Sequence, residues 1–72
     1  MHDLENKLVE IVVQLAAARR LRERHFRELR FLRDSGADVA ATARAIEDNK
    51  ATIQKLHQMR KDVAAELRVT RK

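Results

Sequence analysis

The sequence predicts an all-α fold, a two-helix antiparallel coiled-coil hairpin that associates into a helical bundle. Three observations predict it. The 72 residues include no proline, one glycine and many good helix formers. One turn signal stands near the middle of the chain, and apolar residues recur at heptad spacing on both sides of it. Residues 1–72 are therefore expected to form a single helical hairpin.

The first helix is predicted over about residues 3–33. Its seam positions, which would face the other helix, are spaced alternately by four and three residues. They are Leu4, Leu8, Ile11, Leu15, Ala18, Arg22, His25, Leu29 and Leu32. This alternation, sustained over four heptads, is typical of a helix that packs along one stripe against another helix. A helix of this length measures roughly 45 Å, at 1.5 Å per residue.

The turn is predicted over residues 34–38, with the sequence Asp-Ser-Gly-Ala-Asp. Gly36 suits the left-handed backbone conformation that commonly closes a helix. Asp38 is a good N-cap, because its carboxylate accepts hydrogen bonds from free N–H groups of the first helical turn. The second helix is therefore predicted over about residues 39–70.

The second helix has a matching set of seam positions. They are Val39, Thr42, Ile46, Asn49, Ile53, Leu56, Arg60, Val63, Leu67 and Thr70. When the chain folds back at Gly36, the numbers of opposed residues add to 71, so that Leu15 meets Leu56. Phe26 and Phe31 then fall beside alanines of the second helix, large side chains against small ones. The structural alternative is one continuous helix that dimerises along its length.

A polar layer is predicted in the middle of the seam, where Arg22 and Asn49 fall opposite each other. A polar seam residue lowers stability but penalises slipped pairings, so both are interpreted as register-setting residues. The alternative is a ligand site, in which a buried guanidinium or the imidazole of His25 awaits an acidic group. Arg22 is also long enough to extend its charged end to solvent while its stem packs.

Several classes of function are disfavoured by composition and motifs. The chain has no cysteine, so disulfides and thiolate metal sites are excluded. The histidines His2, His25 and His57 lack i, i+4 ligand spacing, and the only serine, Ser35, lies in the turn of a two-helix fold that offers no deep pocket. No glycine-rich phosphate loop exists. We therefore expect no catalytic residue, no metal or other cofactor and no small-molecule substrate, and the protein is not expected to be an enzyme.

The expected location is cytoplasmic, without membrane insertion. The longest apolar run, residues 11–18, is interrupted by Gln14 and is far shorter than the roughly 20 residues that span a bilayer. Asp3, Glu5 and Glu10 interrupt the region where a secretory signal would need an apolar core.

A second interface is predicted on the side of the first helix that points away from the seam. Its residues, the valine surface, are Val9, Val12, Val13 and Ala16. Between Leu8 and Ala18 the polar residues are Glu10 and Gln14 alone, and a helix that is apolar nearly all round is normally covered on more than one side. The valine surface is therefore expected to pair with a second chain or with a partner helix.

The positive charge is concentrated just beyond the valine surface. Residues 19–33 carry +5, whereas residues 1–18 carry −2 and residues 34–72 carry +2. Five of the arginines form the arginine surface, which is predicted to bind an acidic partner or phosphates: Arg19, Arg20, Arg24, Arg27 and Arg30. Arginine favours such recognition because its planar fork matches carboxylate and phosphate groups.

The first hypothesis is a protein-interaction and assembly module, which self-associates or docks a partner helix and binds an acidic partner. The alternative is an accessory protein that binds nucleic acid without sequence preference, through phosphate contacts of the arginines. Further alternatives are a coiled-coil piece of a larger protein, a designed sequence and a membrane-surface binder. The last is the weakest, because the apolar and basic surfaces follow each other along the helix.

Overall fold

A computed structural model describes residues 2–70 as two helices that pack side by side. Helix α1 runs over His2–Asp34 and helix α2 over Ala40–Thr70. Residues 2–70 contain these two helices and no strand. The helices contact each other along a rod of 58 × 14 × 12 Å. The predicted all-α hairpin is confirmed, and the chain is not one continuous helix.

The end of α1 is closed by two hydrogen bonds that reach back into the helix. The N–H of Ala37 donates to the carbonyl of Leu32 at 2.9 Å, and the N–H of Gly36 donates to the carbonyl of Arg33 at 3.1 Å. Gly36 has a φ of 74°, the left-handed conformation that this Schellman arrangement requires. The two bonds satisfy carbonyls that would otherwise be unpaired at the helix end.

The start of α2 is held by Asp38, whose carboxylate Oδ1 accepts a hydrogen bond from the N–H of Ala40 at 2.9 Å. The first bond of helical type follows at once, from the N–H of Ala43 to the carbonyl of Val39 at 2.8 Å. Residues 35–39 alone therefore connect the two helices, and both helix ends at the connection have hydrogen-bond partners.

Gly36→Ala is expected to lower the free energy of unfolding by about 1–2 kcal/mol, the cost of a left-handed conformation for an L-residue. The loss would come from the backbone, since a Cβ at this position meets no atom within 4 Å. Urea unfolding followed by helical circular dichroism measures it. Gly36→Asn is the control and should lose less, because asparagine tolerates this conformation better. Equal stability of Gly36→Ala and the wild type would contradict the assignment.

The buried core lies in the half of the hairpin that is far from the turn. Its members come from both helices: Ile11, Leu15, Ala18, Ile53, Leu56 and Val63. In the turn half, the apolar seam residues are half-buried: Leu29, Leu32, Val39 and Ile46. The small Ala18 and the large Ile53 share this cluster, at 8 % and 7 % exposure, which is the combination of sizes that lets two helices interdigitate. The hairpin is thus most tightly packed around residues 11–18.

One expectation about contacts between the helices differs from the structure. Phe31 is 70 % exposed, so its expected packing against the alanines of α2 is wrong. It precedes the seam residue Leu32 by one position, a rotation of about 100° around the helix, which directs its ring outward. Arg60 occupies a seam position and is exposed, as expected of a long arginine side chain that extends its charged end to solvent.

Candidate interaction surfaces

The valine surface is exposed in the structure. Val9 is 62 %, Val12 47 % and Val13 61 % exposed, while Ala16 is half-buried. On the opposite side of the same helical turns, Leu15 is buried to 2 % exposure. This stretch of α1 therefore presents apolar side chains to solvent as well as to α2, although a surface helix normally has only one apolar face.

A shallow groove between the helices continues the valine surface onto α2. Its volume is about 350 Å³, and it is lined by Glu5, Leu8, Val9, Ala64, Leu67 and Arg68. Ala64 is half-buried, and Val9 belongs both to the groove and to the valine surface. The exposed apolar area is thus continuous from α1 to α2 on this flank, and a charged residue stands on either side of it.

The arginine surface is exposed at all five of its positions. The guanidinium of Arg19 donates from Nη2 to Nε2 of His57 on α2 at 3.4 Å. The other four arginines have no hydrogen-bond or ion-pair partner in the part of the chain that the structure describes: Arg20, Arg24, Arg27 and Arg30. Their donors are therefore available to an external acidic group.

The surroundings of His57 disfavour its charged form. Burial, followed by the nearby cations Arg60, Arg19 and Lys61, lowers the pKa of His57 from its ordinary value. Because Arg19 supplies the hydrogen to Nε2, the ring proton is assigned to Nδ1. Arg19 is thereby held against α2, while the remaining members of the arginine surface project freely.

The central polar layer consists of Asn49 and the backbone of α1. Asn49 is 6 % exposed, and its Nδ2 donates to the carbonyl of Ala18 at 3.1 Å. Arg22, expected opposite Asn49, is exposed instead, since its long side chain reaches solvent. Asn49 Oδ1 and His25 Nδ1 are buried without a hydrogen-bond partner among the described residues. If one helix shifted along the other, Asn49 would lose its hydrogen bond to Ala18, so this bond favours the observed register.

A groove of about 410 Å³ beside Asn49 is a further opening between the helices. It lies on the flank opposite the valine surface, and it is lined by Ala17, Ala18, Leu21, His25, Ala45, Asp48, Asn49 and Thr52. Within residues 2–70, no three histidine or acidic side chains converge as metal ligands would. Over the same residues, neither helix combines the length and apolar character needed to cross a membrane.

The contact between Arg19 and His57 was not predicted from the sequence. Both residues directly follow seam residues, Ala18 and Leu56, and such positions lie on the same flank of an antiparallel pair. Heptad position was therefore the signal that could have identified this contact. Comparison of the chain with protein-family models, with curated proteins and with solved structures gave no match. The functional argument consequently starts from the surfaces described above.

Proposed function

We propose that the protein is a non-enzymatic assembly module, a helical hairpin that self-associates through the valine surface. The observation that carries the proposal is the exposure of Val9, Val12 and Val13 on the most apolar segment of α1. Three adjacent exposed valines, continuous with an apolar groove, form a patch of the kind that marks protein-protein contacts. Burial of this patch against a second hairpin gives a four-helix bundle.

The overall dimensions of the hairpin support association. The chain exposes 5931 Å², whereas a compact monomer of 8.4 kDa exposes about 4600 Å². Its radius of gyration is 16.6 Å, compared with about 11 Å for a compact domain of this length. A standard protein interface covers about 800 Å² of each partner. The surface in excess of a compact monomer is thus large enough to contain one such interface.

The arginine surface supplies the second part of the proposed mechanism, the selection of an acidic partner. Four of its arginines project without a described partner, on the half of the hairpin that the valine surface does not occupy. A concentrated positive field accelerates encounter with acidic surfaces and disfavours basic ones. Self-association and partner binding would then use different lengths of the same helix.

Val9→Lys combined with Val13→Lys is expected to reduce the solution mass to that of one chain, measured by sedimentation equilibrium. Two buried ammonium groups in the interface would be costly to desolvate. Lysine is a better helix former than valine, so helical circular dichroism should be retained. The matched control is Phe31→Lys, at an apolar position that is 70 % exposed outside the valine surface. A monomeric wild type, or an oligomer that persists in the double variant, would refute self-association through this surface.

A second candidate function is sequence-independent nucleic-acid binding. The observation that favours it is the row of exposed arginines without a described partner, Arg20, Arg24, Arg27 and Arg30. Their spacing places them on one outward side of α1, where they would contact phosphates of a backbone. The chain has no tryptophan or tyrosine on which bases would stack. Contacts of this kind would therefore not distinguish base sequence.

A further inference from the structure

We infer that the second hairpin packs with its α1 antiparallel to the first α1, about a two-fold axis that passes between Val12 and Val13. This inference rests on the proposed self-association and specifies its geometry. It follows from the order of side chains along the face that carries the valine surface. On that face, helical spacing of three and four residues continues from Val9 back to Glu5 and from Ala16 on to Arg20.

The antiparallel arrangement pairs residues whose numbers add to 25. Val12 then lies against Val13 of the second copy, and the larger Val9 lies against the smaller Ala16. Beyond that pair, farther from the two-fold axis, Glu5 of one copy lies against Arg20 of the other, and both are exposed in the single hairpin. The two-fold axis repeats every pairing, so a Glu5–Arg20 ion pair lies at each end of one apolar centre. Alternation of large and small side chains also lets the helices interdigitate.

The parallel arrangement in register brings like charges together. Glu5 would lie against Glu5 of the second copy and Arg20 against Arg20, both unfavourable. Over longer stretches, residues 1–18 carry −2 and residues 19–33 carry +5. The antiparallel arrangement sets the acidic stretch of each chain beside the start of the basic stretch of the other. Electrostatic complementarity thus selects the direction of the second helix, while the valines supply the buried area.

The α2 helix of a second copy is a poorer cover for the valine surface. Beside residues 9–16, the outward side of α2 carries Lys55, Gln58 and Lys61, all of them exposed. Packing this side against Val9 and Val13 would desolvate two ammonium groups against apolar side chains. At this level of the hairpin, the outward side of α1 is apolar and the outward side of α2 is charged. The inferred contact is therefore between two α1 helices.

The two basic regions project from opposite ends of the inferred dimer. Arg27 lies about 14 residues from the two-fold axis, so the two copies of Arg27 stand roughly 40 Å apart along the helix direction, at 1.5 Å per residue. Pairing of numbers that add to 25 ends at residue 24, so Arg27 and Arg30 lie beyond the overlap and remain uncovered. The dimer would therefore present two separate arginine surfaces instead of one.

The experiment is disulfide trapping in the full chain, which has no native cysteine. Val9→Cys and Ala16→Cys are prepared as separate variants, oxidised mildly alone and as an equimolar mixture, and analysed by non-reducing electrophoresis and mass spectrometry. In the antiparallel arrangement, position 9 of one chain faces position 16 of the other. Two copies of position 9 are offset by seven residues, about 10 Å along the axis, beyond the reach of a disulfide.

The expected result is a covalent heterodimer in the mixture and monomers in each variant alone. Crosslinking of Val9→Cys with itself would overturn the antiparallel inference and show a parallel dimer. A dimeric sedimentation mass without a crosslink between positions 9 and 16 would overturn it too, and would place the interface elsewhere. A monomeric mass for the wild type under the same conditions would instead refute the proposed function. Phe31→Cys, exposed outside the inferred contact, is the control for random collision.

Discussion

Leu15→Ala is expected to lower the free energy of unfolding by about 3 kcal/mol, within the roughly 2–5 kcal/mol typical of buried leucines. Leu15 is 2 % exposed and is the largest fully buried side chain among the described residues. A chain of this size is stable by only about 0.1 kcal/mol per residue, so this loss is a large part of the total. Urea unfolding followed by helical circular dichroism measures the change.

Leu21→Ala is the matched control for this prediction. It removes the same atoms from the same helix, but Leu21 is 40 % exposed. Less apolar area returns to water and neighbouring atoms close the space more easily, so the loss should be clearly smaller. Both variants are compared at one protein concentration, because self-association would add to apparent stability. Equal losses for the two variants would show that the core does not lie where the structure places it.

Substitution of Arg24, Arg27 and Arg30 together by glutamate is expected to weaken binding to an acidic partner on the order of 10³-fold. Each substitution removes a charge-assisted contact and adds repulsion. The probe is labelled duplex DNA in a fluorescence-anisotropy titration at several salt concentrations. If the arginines contact phosphates, a plot of the logarithm of the binding constant against the logarithm of the salt concentration has a negative slope. The magnitude of that slope should decrease by about three in the variant. Arg20 is left unchanged because it faces Glu5 in the inferred dimer.

The control for the arginine variants changes the net charge equally at another surface. Lys55, Lys61 and Arg68, all exposed on α2, are replaced by glutamate. A strong loss in the α1 variant and a weak one in the control would assign DNA binding to the arginine surface. Equal losses in the two variants would show that DNA responds to net positive charge and not to the arginine surface. That result would argue against the nucleic-acid candidate and favour an acidic protein partner.

The hairpin and its turn were predictable because they depend on local chemistry and periodicity. Heptad spacing identifies which face of each helix is apolar, and Gly36 with Asp38 marks where the chain reverses. The depth of burial was less predictable, because it depends on how closely the two backbones approach. Heptad spacing places both Leu15 and Leu29 in the seam, yet Leu15 is buried and Leu29 is half-buried.

The candidate surfaces were predictable in position but not in their contacts. Outward-facing valines and arginines follow from helical spacing alone, and the structure leaves Val9 and Val13 exposed. The bond from Asn49 to the carbonyl of Ala18 was not foreseen, since sequence patterns compare side chains and omit backbone acceptors. Arg22 was expected opposite Asn49 with a charged end that can reach solvent, and the structure leaves it exposed.

The five-residue connection capped by Gly36 and Asp38 has a consequence for how the chain responds to dilution. It tethers α2 to α1, so that the helices meet at an effective concentration in the millimolar range, whatever the amount of protein present. Pairing within the hairpin is therefore a unimolecular equilibrium, whereas pairing between hairpins is bimolecular and follows mass action. On dilution, the assembly would come apart before the hairpin opens. Under the proposed self-association, the abundance of the chain would regulate its assembly while its fold persists.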